Sequence, residues 1–160
     1  MEAPPLTLVV CGAPLAARAP ELAGELRSRW TVSLVVTEAA RHWCAWPSDE
    51  DRPRPQTVIA CPLTFNTANK VAAGIMDGTA PGVLCDALGA GVPIVAVPMV
   101  NDRLWAHPVW PSTLRTLSAA GVRFVDPRSG RIGAPEPVSS GTGPEVVAAF
   151  RPSWVTGAVA

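Results

Sequence analysis

Cys61-Pro62-Leu63-Thr64-Phe65-Asn66-Thr67-Ala68-Asn69-Lys70 decides the fold. A short apolar segment, Thr57-Val58-Ile59-Ala60, runs into it, and a helix-forming one, Val71-Ala72-Ala73-Gly74-Ile75-Met76, leaves it. A buried strand, a turn rich in hydroxyls and amides, and a helix start make the βα unit of an open α/β sheet. The turn beyond the carboxyl end of the strand is where such sheets hold ligands. The unpaired N–H groups of a first helical turn favour an anion, typically a phosphate. Thr64, Asn66 and Thr67 add side-chain donors there. The alternative for this stretch alone is a plain cap, since Thr and Asn are both good N-caps.

A second stretch repeats the arrangement. Pro98-Met99-Val100-Asn101-Asp102-Arg103-Leu104-Trp105 follows the apolar Ile94-Val95-Ala96-Val97. The three asparagines of the chain, Asn66, Asn69 and Asn101, all fall just beyond expected strand ends, where a ligand can meet them.

These two stretches carry a resemblance. Pro62-Leu63-Thr64-Phe65-Asn66-Thr67 resembles the PASANT motif of the homo-oligomeric flavin-containing cysteine decarboxylases, the family of phosphopantothenoylcysteine and lantibiotic-peptide decarboxylases. Pro98 to Trp105 resembles its second motif, PxMNxxMW, and Lys70 to Asp77 continues the likeness, which covers roughly residues 6 to 126. The resemblance implies FMN as cofactor, held by Gly12, Ala13, Thr37, Trp43, Pro62, Thr64, Phe65, Asn66, Thr67, Pro98 and Met99. It implies a small-molecule or peptide thiol-carboxylate as substrate, whose carboxylate Asn101 grips, and assembly as a homo-trimer or homo-dodecamer. Arg103 can add charge to that grip or serve as a solvated or interface arginine.

Departures from the pattern are equally specific. The family has a glycine–serine turn after the first strand, whereas Ala13 stands at the serine position. The family's active-site histidine precedes PASANT, but no histidine lies between His42 and His107. His42 is the first candidate to replace it and His107 the other. The methionine of the second motif is displaced to Met99, and Leu104 replaces its second methionine. The family's flap cysteine has no counterpart, because no cysteine follows Cys85.

Taken in order, the chain alternates strands and helices. Leu6–Cys11 is a strand, Gly12-Ala13-Pro14 a turn, and Leu15, Ala19, Leu22 and Leu26 one helix face, with Pro20 kinking the segment or starting it late. Residues 31–36 form a second strand, ended by Thr37, and 38–43 a short helix. Trp43 there is either a flavin contact or a core residue. Residues 44–56 are polar and proline-rich. Helices follow at 71–76 and 81–90, a strand at 93–97, a helix capped by Ser112, and a strand at 122–125. The expected fold is Rossmann-like: a doubly wound parallel sheet of about five strands in three α/β/α layers, with the flavin-binding domain over 1–126. Residues 127–160 are expected to form a Gly/Pro-rich loose flap and tail, ending in one helical turn at 146–150.

Composition narrows the function classes. The 160 residues suit one domain, and 48% hydrophobic content can fill a core. A formal net charge of zero speaks against nucleic acid, which wants a basic face. No run is long enough to span a bilayer. Cys11, Cys44, Cys61 and Cys85 have no metal-type spacing, so no metal is expected. Cys11, Cys61 and Cys85 sit in apolar runs as expected buried thiols, and a soluble cytoplasmic protein is the default. An NAD-type enzyme is disfavoured because Gly12-Ala13-Pro14 is not GxGxxG. The expectation is an FMN-binding protein of decarboxylase type without the usual histidine and flap cysteine. Its alternatives are an active decarboxylase with a relocated histidine, another flavin-dependent oxidoreductase, or a non-catalytic partner subunit.

Overall fold

Five short apolar runs pair side by side in the computed structural model, which describes residues 1–159. They are β1 (Pro5–Val10), β2 (Thr31–Val36), β3 (Thr57–Leu63), β4 (Ile94–Pro98) and β5 (Arg123–Phe124), in the order β2-β1-β3-β4-β5. Every pairing is parallel. A parallel sheet buries both faces, which is why these strands read as continuous apolar runs.

Period-two alternation divides their side chains between two cores. Leu6, Leu8, Val10, Leu34, Val36, Ile59, Val95 and Val97 face one side. Helix α1 (Ala19–Leu26) covers them, preceded by a 3-10 segment at Pro14–Arg18. Two C-terminal helices, numbered below, join that layer. Val9, Cys11, Val35, Val58, Ala60, Ile94, Ala96 and Phe124 face the other side. They lie beneath α2 (Phe65–Ala73), α3 (Thr79–Gly89) and α5 (Trp110–Ala119). A single turn, α4 (Asp102–Trp105), follows β4. The result is the expected doubly wound three-layer sheet.

Several boundaries differ from the sequence reading. Helix α1 starts late, with Pro20 in its first turn where the missing N–H costs nothing. Helix α2 begins at Phe65 rather than Val71, directly behind Thr64, and Gly74 ends it at φ 73°. Strand β3 extends through the cis Cys61–Pro62 bond to Leu63. Pro111, not Ser112, marks the start of α5, whose N-cap Val109 offers no side-chain bond.

The stretch after Asp126, expected as a loose flap, is tied down. Asp126 is buried, and its carboxylate accepts hydrogen bonds from the N–H groups of Arg128, Ser129 and Glu136 and from the Ser129 hydroxyl. Helices α6 (Gly143–Ala149) and α7 (Pro152–Thr156) replace the single expected turn. Val146 of α6, Val155 of α7 and the Phe150 between them are buried in the same core as Leu22 and Leu26.

The proline-rich connection at 44–56 carries no helix. It runs instead along the free edge of β2. The Leu34 N–H donates to the Asp49 carboxylate at 2.7 Å, and the Asp49 N–H returns a bond to the Leu34 carbonyl at 2.9 Å. Ser48 Oγ accepts from the Val36 N–H at 2.7 Å and donates to the Val36 carbonyl at 3.1 Å. An exposed strand edge invites pairing with another chain, and these side chains satisfy it in place of a sixth strand. Cys44 is buried here, and Cys85, expected to be buried, is half-exposed. No described helix is long and apolar enough to cross a membrane.

Candidate functional site

The chain leaves β1 toward β2 on one side and leaves β3 toward β4 on the other, so connections diverge between these neighbours. Open α/β sheets bind ligands at such a point, outside the carboxyl ends of the strands. A cleft of about 450 Å³ lies there, within the roughly 300–1,000 Å³ usual for small-molecule pockets. Gly12, Ala13 and Pro14 bring the β1 turn to it, Thr64, Phe65 and Asn66 the start of α2, and Met99, Val100, Asn101 and Leu104 the end of β4. The fourth wall is Val138–Gly141 with Gly143.

The α2 end of the cleft is the capped start of a helix. Thr64 is the N-cap: its hydroxyl oxygen accepts from the Thr67 N–H at 3.4 Å. The cap that Thr64 was expected to offer is thus present. The Phe65 and Asn66 N–H groups have no hydrogen-bond partner among the described residues, and Asn66 is exposed at the cleft. Beneath the cap lies Cys11. Burial raises its thiol pKa, only partly offset by hydrogen bonding with Thr67 and Thr64.

Asn101 occupies the facing corner. Its side-chain oxygen caps α4 by accepting from the Leu104 N–H at 2.9 Å. The amide NH2 is thereby left as the group that can donate to a ligand. Met99 is nearly buried, and its sulfur accepts from the Leu15 N–H at 3.4 Å, joining β4 to the segment after the first turn. Phe65 forms an aromatic wall with Trp110 and His107, each with its ring centre 5.5 Å away.

Of the expected site residues, Gly12, Ala13, Thr64, Phe65, Asn66, Met99 and Asn101 meet around the cleft. Pro62, Thr67 and Pro98 are buried in the elements that shape it. Thr37, His42 and Trp43 are not among its lining residues. The Thr37 oxygen accepts from the Ala40 N–H at 3.2 Å, and Trp43 is 38% exposed, edge-on to His42. Asn69 lies away from the cleft as well, its carbonyl oxygen accepting from the Thr113 hydroxyl at 2.6 Å.

Gly12 carries a packing constraint in addition to its place in the turn. A Cβ there would overlap the Ala39 methyl group and come 2.9 Å from the Ala39 carbonyl carbon. Its missing side chain makes room for the turn after β2, while Gly12 also lines the cleft. The residues that sequence reasoning missed are Val138, Ser139, Ser140, Gly141 and Gly143. They form a strap fixed by the Val138 N–H donating to the Val100 carbonyl at 2.9 Å, and by Ser140 donating to Asp102 through its N–H at 3.2 Å and its hydroxyl at 2.8 Å. Those Ser140 bonds, foremost the hydroxyl, hold the exposed Asp102 carboxyl below its usual range. Ser139-Ser140-Gly141 read as generic loop, and only the return of the chain to β4 reveals its use.

Residues 46–143 match the family described as Flavoprotein. A CoaBC bifunctional protein of coenzyme A biosynthesis from Thermococcus kodakarensis is 33% identical over 79 residues, 49% of this chain and 19% of that protein. The chain thus matches about a fifth of the length of that relative. Among solved structures, a PPC decarboxylase variant complexed with pantothenoylaminoethenethiol superposes with a TM-score of 0.72 at 19% identity, covering 99% of this chain and 97% of the other. The FMN-binding protein AtHal3 gives 0.68 at 18% identity, covering 92% and 94%. These likenesses share the fold. The match spanning β3, α2, β4 and the strap is what assigns the chain, which belongs to the Flavoprotein family.

Proposed function

We propose that the protein binds FMN in the cleft between β1, β3 and β4. The observation that carries this reading is the convergence of a free-amide cradle at Phe65 and Asn66 with an apolar wall of Phe65, Met99, Leu104 and Val138 in one cleft at the switch point. The donor set fits the group: the first-turn amides of Phe65 and Asn66 suit a phosphate, and the apolar wall with the side-chain amides of Asn66 and Asn101 suits a flat heteroaromatic ring. When bound, the flavin supplies two-electron oxidation; the protein supplies binding and orientation. Asn101, with its oxygen committed to the α4 cap, presents an NH2 group to a carboxylate.

The same reading keeps decarboxylation in the background. No histidine lines the cleft, and no cysteine follows Cys85 to serve the strap. We therefore read the protein as a flavin-binding member of the family with slow or no cysteine decarboxylation. An active decarboxylase with a relocated base is the second reading, and one observation favours it: His107 lies against Phe65, with its Nδ1 accepting from the Val109 N–H at 3.0 Å. Assembly as a trimer or higher multiple belongs to the same proposal and is supported by the exposed Ile75, Met76 and Val109.

Purification tests it. The protein is expected to carry a yellow chromophore, released on denaturation and identified as FMN by mass, at about one per chain. A colourless protein that takes up neither FMN nor another flavin overturns the proposal.

A further inference from the structure

Behind the α2 corner of the cleft stands a ring that does not line it. Trp110, the first residue of α5, is 1% exposed and is the largest fully buried side chain among the described residues. Its ring centre lies 5.5 Å from that of Phe65, tilted by 37°, and 5.5 Å from that of Trp105, at 60°. Phe65 opens α2 and Trp105 closes α4. One side chain therefore packs against both of the short elements that bring Asn66 and Asn101 to the cleft. A second tie lies one turn on, where the Thr113 hydroxyl donates to the Asn69 side-chain oxygen at 2.6 Å. Phe65 and Asn69 are four residues apart on α2, and Trp110 and Thr113 three apart on α5, so each pair shares a helix face. Together the two contacts fix how far α2 slides along its axis and how it turns about it.

The indole is kept there against a cost. Its Nε1–H is buried and has no hydrogen-bond partner among the described residues, and an unpaired buried donor is unfavourable. Phenylalanine or leucine would avoid that cost, and the same core is otherwise filled largely by aliphatic side chains such as Leu84, Ala87 and Leu117. What the indole offers in return is span, since its bicyclic ring bridges the Phe65 and Trp105 rings.

From this arrangement we propose that Trp110 is a positioning residue of the cofactor site. Acting through Phe65 and Trp105, it holds the start of α2 and the short α4 at one spacing, so that the Phe65 and Asn66 N–H groups and the Asn101 NH2 meet the same ligand together. The inference rests on the FMN reading of the cleft. The strand pairings do not involve α5, so a smaller side chain at 110 frees the α2 start while the sheet persists.

The test compares FMN affinity in Trp110→Leu, Trp110→Phe and Leu117→Ala. Leu117→Ala opens a cavity in the same core two turns further along α5 and serves as the control for destabilisation alone. Trp110→Leu is expected to bind FMN about tenfold more weakly or worse, the size of one lost buried hydrogen bond. Trp110→Phe should recover most of that loss, and Leu117→Ala should keep the parental affinity. At saturating FMN, the phosphorus resonance of the bound cofactor should move toward its free position in Trp110→Leu and stay in place in Leu117→Ala. Parental affinity in Trp110→Leu, or an equal loss in Leu117→Ala, would overturn the proposal. Where Trp110→Leu does not fold, Thr113→Val decides: it removes the second tie at nearly constant volume, and a loss of about threefold or more supports the proposal while parental affinity overturns it. A parent chain that takes up no FMN fails the cofactor reading instead, which separates the two failures.

Discussion

Two turns of this molecule start alike and end differently. After β2, Thr37 accepts from the N–H three residues on, at 3.2 Å. After β3, Thr64 does the same, at 3.4 Å. The first turn leads into a four-residue 3-10 segment, Ala39–His42, on the edge strand. The second opens the nine-residue α2 beside the strand where the connections diverge. The Thr37 turn is pressed against Gly12 through Ala39, and its neighbourhood serves the β2 edge through Ser48 and Asp49. The Thr64 turn faces the cleft. An identical local signal therefore packs against Gly12 in one place and lines the cleft in the other, where we propose it serves the ligand. Strand order, not the turn itself, decides which.

The sharpest way to break this contrast is through the two histidines, because one sits on each side of it. His42 belongs to the edge turn and His107 abuts the cleft wall. Carbon dioxide release from a C-terminal cysteine peptide is expected to be slow or absent, since a missing positioned acid or base costs on the order of 10²–10⁴ in rate. Any residual turnover should fall with His107→Ala and survive His42→Ala. Rapid turnover abolished by His42→Ala would move the chemistry to the edge turn and dissolve the distinction.

Next in size is the joint itself. Gly12→Val forces a side chain into the Ala39 backbone, and overpacking of this kind costs about 1–3 kcal/mol. Urea titration should show the loss, with an unchanged slope. A variant as stable as the parent would mean that the turn after β2 yields freely. The edge should respond less. Ser48→Ala and Asp49→Ala each remove a bond to a β2 N–H, worth about 0.5–1.5 kcal/mol. Hydrogen exchange should quicken at Val36 and Leu34 respectively while the α2 amides keep their protection.

A pH experiment probes the floor shared by both turns. Burial raises the pKa of Cys11, and burial with the neighbouring Cys11 charge raises that of Cys61. A raised folded-state value means the native protein favours the neutral thiol. Stability from this source is complete below the ordinary thiol value of 9.0 and declines as pH rises beyond it. Cys11→Ala should flatten the alkaline decline in unfolding free energy. A decline of the same slope in the variant would remove Cys11 as its cause.

Much of the fold was legible because a parallel sheet writes itself as apolar runs separated by turn residues. Residues 31–36 were read at their observed limits, and the alternation of strands and helices sufficed for the layers. Helix α2 was placed six residues late because Phe65 to Lys70 reads as polar turn chemistry, although its apolar side chains already face the core. The short motifs pointed to the start of α2 and the end of β4, and the structure brings those two together. What the chain did not disclose was long-range. The strap comes back from residues 138–143 to Val100 and Asp102, and nothing local in Ser139-Ser140 announces that. The packing constraint on Gly12 was also hidden, because it comes from Ala39, a contact between separate strand ends. Asn69 carried the same amide as Asn66, but three positions along a helix turn it toward Thr113.

The central claim is that the Thr64 turn binds FMN and the Thr37 turn does not. Quenching of FMN fluorescence by cofactor-free protein measures this directly, for the parent, Asn66→Ala and Thr37→Ala in parallel. Loss of one buried hydrogen bond, about 1–3 kcal/mol, predicts a roughly five- to hundred-fold weaker affinity for Asn66→Ala, with Thr37→Ala at the parental value. Equal affinities for the parent and Asn66→Ala, or a larger loss in Thr37→Ala, would contradict the account.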